Sequence, residues 1–150
     1  MTNKFRGSAK ERRALSTYVK LSRAAIRVEV NINGHLSNHG LTISQFGVLE
    51  ALFHLGPMFQ NQLAEKILKS TGNMTLVIDN LCKRGLVERV RDEADRRYYQ
   101  IHLTDEGQEL IETIFPHHVK GVVEAFSVLS ADEQTQLAKL CRKLGLASSS

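Results

Sequence analysis

The sequence predicts a mainly helical chain with one small β-hairpin set into it. Three observations carry this. Apolar residues recur at three-to-four spacing over most of the chain. The period switches to two only within residues 87–103. Helix-start signals stand at Thr42, Thr104 and Ser130, each ahead of an apolar stripe.

Residues 10–37 read as one long helix. Leu15, Tyr18, Val19, Ser22 and Ile26 form one stripe; Leu21, Ala25, Val28, Ile32 and Leu36 form another. Two apolar stripes imply that more than one face is covered. Asn38, His39 and Gly40 mark the stop. Thr42 and Gln45 then form a capping box, and Leu41 can staple onto Phe46. Phe46, Leu49 and Phe53 repeat on one face until Gly56-Pro57 ends the helix. Residues 60–68 hold a short helix with Leu63, Ala64, Ile67 and Leu68 inward. After Lys69, Ser70 is a natural N-cap for a helix from Thr71 to about Arg84. Met74, Val77, Ile78 and Leu81 make its core face, and Gly85 closes it.

Val87–Arg91 and Arg97–Leu103 read as two strands around the turn Asp92-Glu93-Ala94-Asp95-Arg96. Thr104 caps the next helix, with Asp105 and Glu106 in its first turn and Leu110, Ile111, Ile114 and Phe115 as its stripe. Pro116 predicts a kink, after which Val119, Val122, Val123 and Phe126 continue the helix. Ser130 and Glu133 form a second capping box. Leu137, Leu140, Cys141 and Leu144 make the last stripe, with a stop near Gly145.

The chain has 150 residues, enough for one domain with a real core. Its 42% hydrophobic and 24% charged content excludes general disorder. No apolar run approaches the ~18 residues of a membrane helix, and the polar start MTNKFRGSAKERRA predicts no secretory signal. Two cysteines cannot make a disulfide framework, so a reducing cytoplasm is the expected compartment. The net charge is +4, and it is unevenly spread. Residues 1–30 carry net +6, residues 31–59 net −1, residues 60–103 net +2 and residues 104–150 net −3. Basic character confined to part of a chain suits a surface facing phosphate.

A short helix, a tight turn and a second amphipathic helix follow the helix-turn-helix plan. The second helix, about 14 residues and roughly 21 Å long, fits a major groove about 12 Å wide. Its candidate DNA-facing residues are Ser70, Thr71, Asn73, Thr75, Leu76 and Asn80, with Lys83 and Arg84 reaching phosphate. The ribbon adds Arg89, Arg91, Asp95, Arg96 and Arg97. An arginine on a rigid ribbon can enter a narrow minor groove, and Asp95 can hold Arg97 by a charge-assisted hydrogen bond. Catalytic motifs are missing: there is no Gly-rich phosphate loop, no GxSxG and no HExxH. Neither an enzyme nor a cofactor is expected. His35 and His39 stand at i, i+4, a spacing two metal ligands can use, and His117-His118 could add another. A zinc-responsive regulator and a protein–protein adaptor of the same fold are the alternatives. Cys82 reads as a packed neutral thiol and Cys141 as structural.

Leu63-Ala64, the helix Ser70–Leu81 leading into Gly85-Leu86-Val87, the string Asp95-Arg96-Arg97, and Leu103-Thr104-Asp105-Glu106-Gly107 resemble the MarR family of winged helix-turn-helix regulators. The motif spacing matches over residues 60–107 and the helix order over roughly 10–146. The resemblance implies one domain over 1–150, with a winged lobe at 42–104 and dimerisation helices at 10–40 and 105–146. It further implies a homodimer on a pseudo-palindromic operator, Arg97 in the minor groove, and repression relieved by a small ligand or oxidation. The stretches Ile67–Leu81 and Leu140–Leu146 resemble members that respond to quinones or phenols. Phe59 stands where the family often has a Ser or Thr cap, and Leu76 where a basic residue is common. No cysteine precedes Cys82, unlike the redox-sensing members.

Overall fold

The computed structural model describes residues 4–67 and 71–148. Helix α1 spans Ala9–Ser37, α2 Ile43–Leu55, α3 Gln60–Lys66 and α4 Thr71–Lys83. Strands β1 (Met58–Phe59), β2 (Val87–Arg91) and β3 (Tyr99–Leu103) make the sheet, and helices α5 (Asp105–Phe126) and α6 (Ala131–Ser148) complete the chain. Leu68, Lys69 and Ser70, and with them the expected turn and N-cap, lie outside the described residues.

Local chemistry sets most boundaries. Ser8 and Glu11 cap α1 reciprocally, Thr42 and Gln45 cap α2, and Ser130 and Glu133 cap α6. Gly85, with φ of 70°, closes α4 in a backbone region that L side chains avoid. Helix α3 begins differently. Phe59 offers no side-chain oxygen, and its own N–H donates to Gln62 Oε1 at 2.9 Å instead. Two expectations fail. Helix α6 runs through Gly145 to Ser148, because that glycine does not take the positive φ a helix stop would use. Helix α5 is continuous across Pro116 as expected, but β3 starts at Tyr99 instead of Arg97. The turn closes first: Asp92 N–H donates to the Tyr98 carbonyl and Tyr98 N–H to the Asp95 carbonyl.

The hairpin is also one strand short of the real sheet. The order is β1-β3-β2, all antiparallel, with Met58 opposite Ile101 and Val87 opposite Leu103. A third strand fastens the ribbon to the start of α3, so the ribbon projects from a braced base.

One core joins the elements. Leu36 from the last turn of α1, Leu49 of α2, Leu63 of α3, Met74, Ile78 and Leu81 of α4, Ile101 of β3, and Ile111 and Ile114 of α5 are wholly buried together. Each such side chain contributes about 1.5–3 kcal/mol of transfer free energy. This core holds α4 and the ribbon as a single lobe. The start of α1 and the whole described length of α6 lie outside it. Every residue of 9–21 in α1 and of 131–146 in α6 is exposed. Cys141, expected to be structural, is exposed as well.

The foot of the ribbon is tightly built. Thr104 Oγ1 accepts from Gly107 N–H at 3.0 Å and donates to the Gly85 carbonyl at 2.6 Å. Thr104 N–H donates to the Leu86 carbonyl at 3.1 Å. One threonine thus caps α5 and ties it to the end of α4.

Candidate nucleic-acid interface

The outward face of α4 presents Asn73, Thr75 and Leu76, all exposed, with Lys83 exposed at its end. Asn80 is half-buried. Ser70 and the side chain of Thr71 lie outside the described residues. This face follows from the opposite one: Met74, Ile78 and Leu81 go inward at helical spacing, so the residues between them face out. Gln60, the first residue of α3, donates from Nε2 to Thr75 Oγ1 at 2.6 Å.

The ribbon tip is ordered by its carboxylates. Asp92 Oδ2 accepts from Asp95 N–H at 2.9 Å. Asp95 then grips Arg97: Nε donates to Oδ1 at 3.0 Å, Nη2 to Oδ2 at 2.7 Å, and the Arg97 N–H to Oδ1 at 3.1 Å. Despite this, the Arg97 side chain is 81% exposed. The Arg97 guanidinium, and then its backbone N–H, hold the Asp95 carboxyl below the usual carboxylate range, and the same contact raises Arg97. Both therefore stay charged through neutral pH. Such an exposed pair adds little stability. Its effect is to fix the direction of a cation. The Arg97 guanidinium carbon also lies 5.7 Å from the Tyr98 ring centre, and Tyr98 meets Phe59 edge-on at 6.2 Å. Arg91 bonds the Tyr99 hydroxyl and stacks 5.0 Å from its ring. Arg96 is exposed at the tip.

Two of the expected phosphate contacts also hold the lobe together. Arg89 turns inward, pairing Nη2 with Asp79 Oδ1 at 2.6 Å and directing Nη1 to Cys82 Sγ at 3.7 Å. It fastens β2 to α4. Arg84 donates from Nη1 to the Gly40 carbonyl at 2.7 Å, which ties the end of α4 to the α1–α2 turn. Arg89 is part-buried by its pair with Asp79, whereas Arg84 remains exposed. The tyrosines and Gln60 are the residues that sequence reasoning missed. The run Arg96-Arg97-Tyr98-Tyr99, basic then aromatic, hinted at the tyrosines, and nothing in the sequence marked Gln60.

The histidines gather away from this face. His35, His39 and His117 have ring centres 5.5–6.3 Å apart. His118 packs on Phe46 at 4.4 Å. Burial pushes His118 below the ordinary histidine range, opposed by Glu50 and reinforced by His35. Among the described residues no three His, Cys, Asp or Glu side chains are arranged to hold a metal ion, so the expected zinc alternative gains nothing from His35 and His39. No helix among the described residues is long and apolar enough to cross a membrane.

A helix-turn-helix lobe with a braced, arginine-tipped ribbon defines a winged helix-turn-helix protein. The sequence pattern of the MarR family matches residues 41–99. The HTH-type transcriptional regulator YkoM of Bacillus subtilis is 38% identical over 134 residues, covering 89% of this chain and 87% of YkoM. The HTH-type transcriptional regulator MhqR of the same organism is 34% identical, covering 89% of this chain and 92% of MhqR. Among solved structures, BpsR of Bordetella bronchiseptica superposes with a TM-score of 0.80 at 27% identity, over 87% of this chain and 98% of BpsR; its DNA binding is regulated by 6-hydroxynicotinic acid. The chain belongs to the MarR family of transcriptional regulators.

Proposed function

We propose that this protein is a homodimeric, ligand-responsive repressor that binds a pseudo-palindromic operator in the cytoplasm. Helix α4 enters the major groove with Asn73, Thr75, Leu76 and Asn80 toward base edges and Lys83 toward phosphate, while Arg97 enters the adjacent minor groove. Arg91 and Arg96 on the ribbon belong to the same surface, and Ser70 and Thr71 are proposed as further DNA contacts. The single observation that carries this reading is the Asp95–Arg97 clamp, which aims an exposed cation from a rigid ribbon beside an amphipathic helix.

The dimer rests on uncovered apolar surface. Leu140 of α6 and Val123 of α5 are each 63% exposed, and Tyr18 of α1 is 67% exposed. An 18-residue helix with no covering would be marginal in water. A second copy of residues 10–40 and 105–146 supplies the cover. The effector is a small organic molecule. The quinone- and phenol-like stretches Ile67–Leu81 and Leu140–Leu146 favour a hydroxylated aromatic, and BpsR answers to one such compound.

The test uses a duplex selected by the wild-type protein from a random pool. Arg97→Ala is expected to weaken binding by roughly 1–3 kcal/mol and to lower the salt slope by about one, with the sedimenting mass unchanged. Equal affinity for the two proteins across a salt titration contradicts the minor-groove role. Substitutions at Thr75 and Asn80 should instead change which sequences are selected.

A further inference from the structure

We propose that Tyr98 is a positioning residue for Arg97, its ring seating the face of the guanidinium while Asp95 holds the edge. Three observations support it. The Arg97 guanidinium carbon stands over the Tyr98 ring, 5.7 Å from its centre. The Tyr98 ring in turn meets Phe59 of β1 edge-on, with centres 6.2 Å apart and planes at 69°. Arg97, Tyr98 and Phe59 also line one groove of about 300 Å³.

The physical case begins with the shape of the cation. A guanidinium is a plane with donors around its edge and none on its faces. Asp95 takes part of that edge, through Nε and Nη2. The Nη1 end is left for acceptors on DNA. A two-point pair fixes the cation relative to the carboxylate, but the carboxylate itself turns on two side-chain torsions. The ring adds a contact out of the shared plane. It attracts the cation through its face, and so uses none of the donors that a phosphate or base edge needs. Tyr98 belongs to the same turn as the clamp: its N–H donates to the Asp95 carbonyl at 3.1 Å, and its carbonyl accepts from Asp92 N–H at 2.9 Å. Phe59 gives α3 no side-chain cap, and its ring meets Tyr98 instead. The neighbouring Tyr99 is committed to Arg91.

This rests on the reading of Arg97 as the minor-groove residue, and two readouts keep the seat and that reading apart. Tyr98→Phe keeps the ring and removes the hydroxyl; Tyr98→Leu keeps apolar bulk and removes the ring. The first readout needs no DNA. The Arg97 Nε–H resonance of the free protein, identified by its loss in Arg97→Ala, should lie upfield in the wild type and in Tyr98→Phe relative to Tyr98→Leu, because a ring face shields what lies over it. The second is affinity for the selected duplex. Tyr98→Leu is expected to weaken binding roughly two- to fivefold per half-site, the scale of one exposed cation–π contact, and Tyr98→Phe to bind as the wild type does. In the Arg97→Ala background Tyr98→Leu should cost nothing further, since the ring acts through the cation. If Tyr98→Leu folds poorly, Tyr98→Met serves, because it also removes the ring and keeps an apolar chain. A resonance that does not move in the ringless variant overturns the proposal. So does unchanged affinity in that variant where Arg97→Ala binds weakly. A Tyr98→Phe loss equal to that of Tyr98→Leu would put the hydroxyl on DNA, and a Tyr98→Leu loss that persists with Arg97→Ala would put the ring there; either overturns it. If the resonance moves as expected and Arg97→Ala binds as tightly as the wild type, the seat stands and the minor-groove reading fails.

Discussion

Leu140→Asp combined with Val123→Asp is expected to convert the protein to a 16.8 kDa monomer and to remove its affinity for the selected duplex. Both side chains are 63% exposed within one chain, so neither substitution touches the lobe core. In the proposed dimer they would lie on the apolar seam between subunits. A carboxylate placed there must be desolvated without a partner, at a cost of several kcal/mol for each copy. Symmetry doubles that cost, because each substitution appears twice across a two-fold interface. Binding to two half-sites then becomes binding to one, and the gain from linking the two lobes is lost, which is commonly a factor of 100 or more. Far-ultraviolet circular dichroism should still report a folded lobe, since α2, α3, α4 and the sheet keep their contacts. Weak, salt-sensitive affinity for any duplex should survive. A double variant that remains dimeric by sedimentation would overturn the dimer surface.

Gly107→Ala should be strongly destabilising. A Cβ at this position would lie 2.0 Å from the Leu86 carbonyl oxygen and 3.2 Å from Leu103 Cδ2. That oxygen is not free to move, because it accepts from Thr104 N–H at 3.1 Å and sits beside the Gly85 turn. Glycine in a helix normally costs about 1 kcal/mol relative to alanine, so propensity alone predicts stabilisation. The clash wins. Forcing the first turn of α5 away from the foot of the ribbon also strains the Thr104 bonds to Gly85 and Gly107. Overpacking against backbone is expected to cost about 3 kcal/mol, a fall of roughly 6–12 °C in thermal midpoint for a chain of this size. A midpoint equal to or above wild type, compared at the same protein concentration, would contradict this packing.

Much of the fold was legible because its boundaries are local. Capping boxes at Thr42 and Ser130 bond residues three apart, and the glycine stop after α4 needs only its own φ. What stayed hidden depends on partners far away in sequence. Strand β1 has two residues, too few to show alternation, and exists only because Met58 and Phe59 meet Ile101 and Gln100. Arg89 looked like a phosphate ligand because basic residues on a ribbon often are; Asp79, ten residues earlier on another element, takes its charge. Gly145 looked like a stop because glycine often is, yet its backbone stays helical. The site divides in the same way. The Asp95–Arg97 clamp spans two residues and could be read directly, whereas the Gln60–Thr75 bond could not.

In the proposed complex, two copies of this lobe read one duplex through α4 and the ribbon. A hydroxyl-radical footprint on the selected duplex tests it most directly. Two symmetric protected half-sites about one helical turn apart are expected, each flanked by minor-groove protection that disappears with Arg97→Ala. A single unsymmetrical footprint, or flanking protection that persists in the Arg97→Ala protein, would contradict it.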